Sequence, residues 1–166
     1  MDIYRLYQTA FPESEKKPFF LILKMHRKGA DDAWGFTGDG KFAGLSVTVN
    51  GEKYVLMDYL AVDQAQRGIG IGTEILKRMR QQYSGKGIFL KIESVYEDCE
   101  NKQQRLRRKH FYEKSGMKSM EVLVWLFGVK MALMGFDCSM PYEQYRAFYR
   151  DNYNQWAADR IQKAEQ

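Results

Sequence analysis

The sequence predicts one α/β (α+β) domain over residues 1–166, with a mixed and mostly antiparallel central sheet. The first observation is an apolar stretch, Tyr54 to Val62, that passes through a glycine-spaced turn into a helical pattern and then into a second apolar stretch, Ile88 to Ser94. The second is that strand pairs with turn signals lie on both sides of this unit. The third is size, because 166 residues of which 45% are hydrophobic can bury one substantial core.

The N-terminal part is predicted to hold an edge strand and a helix. Asp2 to Thr9 alternates apolar and polar residues, as a strand with one buried face does. Lys16 to Lys28 has apolar residues at a period near 3.6, with Pro18 in the first turn, where proline is tolerated, and Gly29 at the end. We therefore expect a strand and a helix before the main sheet.

Two strands come next. Trp34 to Thr37 and Phe42 to Val49 are predicted as strands joined by a turn at Gly38, Asp39 and Gly40. Asn50-Gly51 is the strongest two-residue hairpin signal in the chain. These signals predict an antiparallel arrangement that leads into the strand from Tyr54.

The strand, helix and strand at the centre form a βαβ unit. An apolar stripe marks the helix after the glycine turn: Ile71, Ile75, Leu76, Met79 and Tyr83. Because a helix connects the two apolar strands, we expect them to be parallel.

The C-terminal part is predicted as a helix, a hairpin and a last helix. The first helix runs from about Asn101 to Lys114, the hairpin pairs Val122–Phe127 with Val129–Phe136 through Gly128, and the last helix covers about 141–158. Aromatic residues recur along the last helix at near-helical spacing: Tyr142, Tyr145, Tyr149, Tyr153 and Trp156. This stripe indicates packing onto the domain or, alternatively, a homodimer interface.

Composition narrows the class of protein. Cys99 and Cys138 are too few for a disulfide framework, and the first residues lack the basic start and apolar block of an export signal, so we expect a cytoplasmic protein. The most apolar segment, Val122 to Met134, is shorter than the roughly 18–20 residues of a membrane span, so no membrane partner is expected. A net charge of +5 suits either a polyanionic cofactor or nucleic acid.

The turn after Val62 predicts a phosphate site. Its glycines allow close approach of the main chain to an anion, and the first N–H groups of the next helix have no internal partner. Arg67 adds a permanent positive charge. The spacing matches neither the G-x-x-x-x-G-K-[ST] loop nor the G-x-G-x-x-G fingerprint. It is R-x-x-G-x-G, from Arg67 to Gly72.

This turn resembles the pyrophosphate-binding motif [Q/R]-x-x-G-x-[G/A] of the GNAT superfamily of acyl-CoA-dependent N-acetyltransferases. Phe111 to Met117 is similar to the Y-E-K-x-G-F motif of the same family, and the two motifs occur in the family's order. The resemblance implies a GNAT-like sheet with a splayed parallel strand pair in the middle and helices on both faces. It also implies acetyl-CoA as cosubstrate and direct attack by a primary amine in a ternary complex.

The resemblance places the cofactor in two regions. Main-chain N–H groups near Leu60, Ala61 and Val62 are implied to meet the pantetheine arm and the oxyanion. The pyrophosphate is assigned to Arg67 and the amides of Gly68, Ile69, Gly70, Ile71, Gly72 and Thr73. Family members usually carry an asparagine about two turns before the motif tyrosine. Here Arg105 occupies that position and Asn101 lies further upstream, so both are candidates for this contact.

Acyl transfer from a thioester needs a neutral amine, a stabilised oxyanion and a proton for the thiolate. The resemblance gives proton donation to Tyr112, and Glu93 matches a position where some members carry a glutamate base. Asp58 is the rival base, because a carboxylate on a buried strand tends to have a raised pKa. Alternatively, either acid only pairs with a neighbouring lysine or arginine.

The chain also contains a run of basic residues and two histidines. The run of Lys102, Arg105, Arg107, Arg108, Lys109 and His110 suits a nucleic-acid surface, a clamp for the cofactor's 3′-phosphate or a solvated helix face. A non-catalytic acyl-CoA-binding or nucleic-acid-binding module on the same fold is the rival to an enzyme, with nucleic acid the less expected partner. His26 and His110 lie apart from both cysteines, so no metal site is predicted. The acceptor is an amine-bearing small molecule or peptide of undetermined identity.

Overall fold

The fold, given by a computed structural model, is described for residues 2–165 except the side chain of Ser14. Backbone contacts divide these residues into two units. The first unit contains the residues up to Asn50 together with Leu56–Ser84. The second contains Gly51–Val55 and the residues from Gly85 onward.

The first unit is a sheet with helices before and after it. Its elements are α1 (Asp2–Ala10), α2 (Phe19–Arg27), β1 (Asp31–Gly38), β2 (Lys41–Asn50), most of β3 (Tyr54–Val62) and α3 (Ile71–Gln82). β1 pairs antiparallel with β2, with Asp31 opposite Val49, and β2 is the neighbour of β3. Gly29, with a φ of 73°, ends α2 as predicted.

The helix α1 stands where the sequence predicted a strand over Asp2–Thr9, so that prediction is wrong. Leu6 and Tyr7 are buried, and Ile3 and Ala10 pack against the same core. These four positions follow the i, i+3, i+4, i+7 spacing of a helix face. Ile3-Tyr4 and Leu6-Tyr7 are adjacent apolar pairs, which fit the helical period and not the alternation of a strand, so the prediction misread the pattern.

Helices cover both faces of the sheet within this unit. The apolar cluster that contains Tyr7 and Ile22 also contains Leu45 of β2. Gly44 lies on the opposite face, because successive strand residues alternate. A Cβ at Gly44 would lie 2.8 Å from Ile75 Cδ1, so the glycine allows α3 to approach the sheet closely.

The second unit is mostly antiparallel. Beside the first residues of β3, it contains β4 (Gly87–Glu93), α4 (Lys102–Lys114), β5 (Lys118–Leu126), β6 (Val129–Phe136), α5 (Tyr142–Asn152), α6 (Gln155–Ala158) and β7 (Ile161–Ala164). The strand order β4-β6-β5-β7 is antiparallel throughout. Phe127 and Gly128, with φ angles of 49° and 81°, form the predicted hairpin turn between β5 and β6.

The first residues of β3 lie beside the start of β4. Gly87 N–H donates to the Lys53 carbonyl at 3.1 Å, and the two strands are neighbours in the sheet. Because both strands begin at this end, they are parallel. The predicted mixed sheet, mostly antiparallel around one parallel pair, is confirmed.

The connection between β2 and β3 differs from the predicted Asn50-Gly51 turn. Asn50 ends β2, and a loop over residues 51–53 leads to β3. Gly51 N–H donates to the Tyr54 carbonyl at 2.9 Å. A Cβ at Gly51 would lie 2.7 Å from a ring carbon of Phe148, so packing is the reason for a glycine here.

The C-terminal segment contains two helices and a strand, where the sequence predicted one helix. In place of one helix over about 141–158, α5 and α6 are separated at Tyr153, and Asn154 Oδ1 caps α6 by accepting from Ala157 N–H at 2.8 Å. β7, which the sequence analysis did not predict, pairs antiparallel with β5. Tyr145 and Tyr149 are buried, as the packing interpretation expects, whereas Trp156 is exposed. None of the helices in residues 2–165 has the length and apolarity to cross a membrane.

Candidate active site

A short 3-10 turn and two left-handed glycines build the connection from β3 to α3. Asp63 Oδ1 accepts from Ala65 N–H at 3.0 Å and begins the 3-10 turn. Gly68 and Gly70 have φ angles of 81° and 87°. A Cβ at either position would meet no atom within 4 Å, so backbone conformation selects glycine and the space beside the turn is open.

The same connection presents donors for an anion. The first N–H groups of a helix have no partner inside it. In α3 the helical hydrogen bonds begin with Glu74 N–H, which donates to the Gly70 carbonyl at 3.0 Å. The exposed Arg67 donates from Nε to the Val62 carbonyl at 3.1 Å, which tethers its guanidinium to the end of β3. A tethered positive charge and a helix N-terminus together form an arrangement suited to phosphate.

Three predicted residues, Glu93, Asn101 and Arg105, meet in the second unit. Arg105 Nη2 lies 3.2 Å from Glu93 Oε1, and Arg105 Nε donates to Asn101 Oδ1 at 2.9 Å. Arg105 Nη1 donates to the Ser94 carbonyl at 2.9 Å. Asn101 Nδ2 lies 3.4 Å from Glu93 Oε2, beyond ordinary hydrogen-bond length. Glu93 is therefore in an ion pair, which the sequence analysis gave as the alternative to a role as base.

This cluster uses one N–H of each guanidinium nitrogen of Arg105. An arginine has five such donors, so the hydrogen bonds within the described residues leave two for a ligand. A cofactor contact by Arg105 or Asn101 stays a prediction.

Tyr112 is buried near the end of α4, with its ring centroid 5.1 Å from that of Phe111. Burial raises the pKa of the Tyr112 phenol, and the positive charge of Arg108 partly opposes this shift. The hydroxyl therefore keeps its proton at neutral pH, which is the form a proton donor needs.

The carboxylate of Asp58 is paired with the ammonium group of Lys17. Lys17 Nζ is 2.5 Å from Asp58 Oδ2, and the Asp58 side chain is 4% exposed. Tyr59, the next residue, contacts the same lysine through its hydroxyl, which accepts from Lys17 N–H at 3.0 Å. The sequence analysis missed Lys17 in this role, since nothing near it in the chain points to a carboxylate on β3.

A second buried carboxylate belongs to the same surroundings. Asp31, at the start of β1, is 3% exposed, and burial raises its pKa from 3.8 to about 6. The positive charge of Lys17 opposes this rise, whereas the negative charge of Asp58 adds to it. The ammonium of Lys17 therefore lies within electrostatic reach of two acids. The sequence analysis did not single out Asp31.

The predicted residues divide between the units. The glycine turn, Leu60–Val62 and Asp58 belong to the first unit, and Glu93, Asn101, Arg105 and Tyr112 belong to the second. Within residues 2–165, no three His, Cys, Asp or Glu side chains are grouped as a metal site would require.

The basic run on α4 is partly paired. Lys102 lies 3.9 Å from Asp98 and Lys109 lies 3.7 Å from Glu113, while Arg107 and Arg108 are exposed. These contacts are typical of a solvated helix face, and in the part of the chain that the structure describes they leave the two exposed arginines without an ion pair.

Comparison with known proteins places these features in a family. Residues 30–118 match the model of the family described as Acetyltransferase (GNAT) domain. This range contains the glycine turn, Asp58, Glu93 and Tyr112. No match was found among curated protein sequences.

Solved structures share the fold. A protein of Bacteroides thetaiotaomicron assigned to the GNAT family of acetyltransferases is 18% identical, with a TM-score of 0.74 over 92% of this chain and 90% of that one. An aminoglycoside 6′-N-acetyltransferase complexed with coenzyme A is 15% identical, with a TM-score of 0.63 over 81% and 87%. The ribosomal-protein-S18-alanine N-acetyltransferase from Escherichia coli is 15% identical, with a TM-score of 0.55 over 82% and 86%.

Proposed function

The chain belongs to the GNAT acetyltransferase family, and we propose that it transfers an acetyl group from acetyl-CoA to a primary amine by direct attack in a ternary complex. The observation that carries this proposal is the turn from Arg67 to Gly72, in which two left-handed glycines lead into the N-terminus of α3 beside a tethered guanidinium. Such a turn suits a pyrophosphate, because its main-chain N–H groups and the positive charge of Arg67 face the same anion.

The cosubstrate is proposed to lie against main-chain donors. Arg67 and the amides from Gly68 to Thr73 take the pyrophosphate, and N–H groups near Leu60, Ala61 and Val62 meet the pantetheine arm and the oxyanion. Support for acetyl-CoA comes from the family and from the similar aminoglycoside acetyltransferase, whose structure holds coenzyme A.

Tyr112 is proposed as the proton donor. When the amine nitrogen attacks the thioester carbon, the carbonyl oxygen becomes an oxyanion, and collapse of the tetrahedral intermediate breaks the carbon–sulfur bond. The departing thiolate, of pKa about 8.5, must take a proton, which a phenol of pKa about 10 or higher can supply only when hydrogen bonding holds the two in reach. A buried, protonated Tyr112 fits this role.

Glu93 is proposed as the acceptor of the amine's proton, with Asp58 as the rival. Asp58 is 4% exposed and covered by Lys17, whereas Glu93 is 22% exposed. The Glu93 Oε2 atom has only the long contact to Asn101 among the hydrogen bonds of the described residues, so it is the more accessible oxygen. Arg105 pairs with the other oxygen and orients the carboxylate.

Calorimetric titration with acetyl-CoA, followed by thiol release across a panel of amines, tests the proposal. We expect binding by the wild type and at least tenfold weaker binding by Arg67→Ala, because a charge-assisted contact to phosphate is lost. Arg78→Ala is the matched control, since Arg78 is an exposed arginine of α3 that pairs with Glu74 at 2.9 Å. It should bind acetyl-CoA like the wild type.

Two results would refute the enzyme proposal, and the second would favour a non-catalytic module. One is a wild-type protein that does not bind acetyl-CoA. The other is a protein that binds nucleic acid with a steep salt dependence and releases no thiol with any amine.

A further inference from the structure

The ion pair of Lys17 and Asp58 joins a partly exposed lysine to a buried carboxylate. The Lys17 side chain is 30% exposed, while that of Asp58 is 4% exposed. Any cation that reaches Asp58 from solvent must therefore take the place of the lysine ammonium. The contact distance of 2.5 Å shows that the carboxylate accepts a primary ammonium group directly.

Hydrogen bonds that do not involve the Lys17 ammonium hold the backbone of the segment around Lys17. Tyr7 donates from its hydroxyl to the Lys17 carbonyl at 2.9 Å, and Lys17 N–H donates to the Tyr59 hydroxyl at 3.0 Å. Tyr59 in turn donates to the Glu15 carbonyl at 2.8 Å. Because these hydrogen bonds join tyrosine hydroxyls to main-chain atoms, they do not depend on the ion pair between the Lys17 ammonium and Asp58.

The surroundings of Asp58 favour positive charge. Asp31 is a second buried carboxylate within electrostatic reach of the lysine ammonium. Two carboxylates near one position attract an ammonium ion.

We infer that Asp58 is a subsite for an ammonium group of the acceptor, which Lys17 fills until the acceptor arrives. The acceptor then has two amines, one held as an ammonium on Asp58 and the other acetylated in its neutral form. A small alkyl diamine or polyamine fits this description, because its ammonium has the compact shape of the lysine ammonium that it replaces. This inference rests on the proposed acetyl transfer for the fate of the second amine only.

Titration with 1,4-diaminobutane in the absence of acetyl-CoA tests the subsite directly. We expect binding that 1,4-butanediol does not reproduce, because the diol carries no charge. Lys17→Met keeps the length of the side chain and removes the competing ammonium, so its affinity for the diamine should rise about tenfold. Lys24→Met, at an exposed lysine of α2, is the matched control and should not change the affinity.

Two more variants keep the test decisive if Lys17→Met fails to fold around an uncompensated Asp58. Asp58→Asn should bind the diamine at least tenfold more weakly than the wild type, because the negative charge that attracts the ammonium is removed. The double variant Lys17→Met, Asp58→Asn removes both charges together and should show no diamine binding. Equal affinity in the wild type and Asp58→Asn, or a folded Lys17→Met that binds no better than the wild type, would overturn the inference.

The same measurements separate this inference from the proposed function. Diamine binding that depends on Asp58, in a protein that releases no thiol from acetyl-CoA, would uphold the subsite and refute the transfer reaction. Thiol release with the same KM for butylamine and 1,4-diaminobutane would uphold the transfer reaction and refute the subsite.

Discussion

Arg105 and Glu93 form an ion pair at 3.2 Å in a network that includes Asn101 and the Ser94 carbonyl. The side chains of the pair are 16% and 22% exposed, so water screens them only partly. The pair joins the start of α4 to the end of β4, and these are the elements that present Tyr112 and the proposed base.

Removal of the arginine should therefore cost stability. Arg105→Ala leaves Glu93 partly buried without its cation, and we expect the free energy of unfolding to fall by about 1–3 kcal/mol. Urea denaturation measures this change. The double variant Arg105→Ala, Glu93→Gln should recover part of the loss, and Arg107→Ala, at an exposed neighbouring arginine, should stay within about 0.5 kcal/mol of the wild type. Equal losses in the single and double variants would show that the pair is not coupled.

Tyr112→Phe should slow turnover by about 10²-fold or more, because the thiolate loses its proton donor, while acetyl-CoA affinity stays nearly unchanged. Steady-state kinetics and calorimetry measure the two effects separately. Tyr96→Phe, at an exposed tyrosine of the same unit, is the control and should keep the wild-type rate. A Tyr112→Phe rate within about twofold of the wild type would remove the donor assignment.

The dependence of the reaction rate on pH is a second test of Tyr112 as the proton donor. Because burial raises the pKa of its phenol above the ordinary value of 10.0, its deprotonation should not reduce the rate below about pH 10. A rate measured from pH 6 to 10 that declines near pH 8 and loses that decline in Tyr112→Phe would contradict this expectation.

Asp31 should make folding stability depend on pH. Its pKa is about 6 in the folded chain and 3.8 ordinarily, so between these values the folded state binds a proton that the unfolded state lacks. The contribution of Asp31 therefore destabilises the fold above pH 6, and this cost disappears as the pH falls toward 4. Lys17, His26, Asp32 and Asp58 act on the same carboxyl through their charges.

Asp31→Asn should thus raise the free energy of unfolding at pH 7.5 by about 1–3 kcal/mol, with a gain that shrinks below pH 5. Denaturation curves between pH 4.5 and 8 measure the difference. Asp39→Asn, at an exposed turn position with a φ of 49°, is the control and should give curves parallel to the wild type. A constant difference across this pH range would contradict the raised pKa.

Gly70 and Gly85 offer a matched pair for the phosphate turn. Both have a φ of 87°, and a Cβ at either would meet no atom within 4 Å. Alanine at either position should cost about 1–2 kcal/mol of stability through backbone strain. Only Gly70→Ala should also weaken acetyl-CoA binding in calorimetry, and Gly70→Asn should weaken it less, because asparagine tolerates this conformation. Equal affinities in the two alanine variants would argue against a ligand at the turn.

Local sequence signals were sufficient to predict the strand, glycine turn and helix from Tyr54 to Gln82, the parallel strand beyond it and the hairpin at Gly128. These features depend on local causes, namely apolar periodicity and positive φ angles that only glycine adopts easily. The two motifs that resemble the family are also short and continuous in the chain, so they too could be read from the sequence.

Packing of the folded chain was needed to establish that Ile161–Ala164 is a strand and that Lys17 and Arg105 contact the two candidate bases. A short segment adopts the conformation that its neighbours allow, and β7 exists because β5 offers it a free edge to pair with. Lys17 and Asp58 are 41 positions apart in the chain, so no local pattern could indicate that an ammonium would cover that carboxylate. Contacts of this kind arise only when distant segments come together, and they determine which groups are accessible for chemistry.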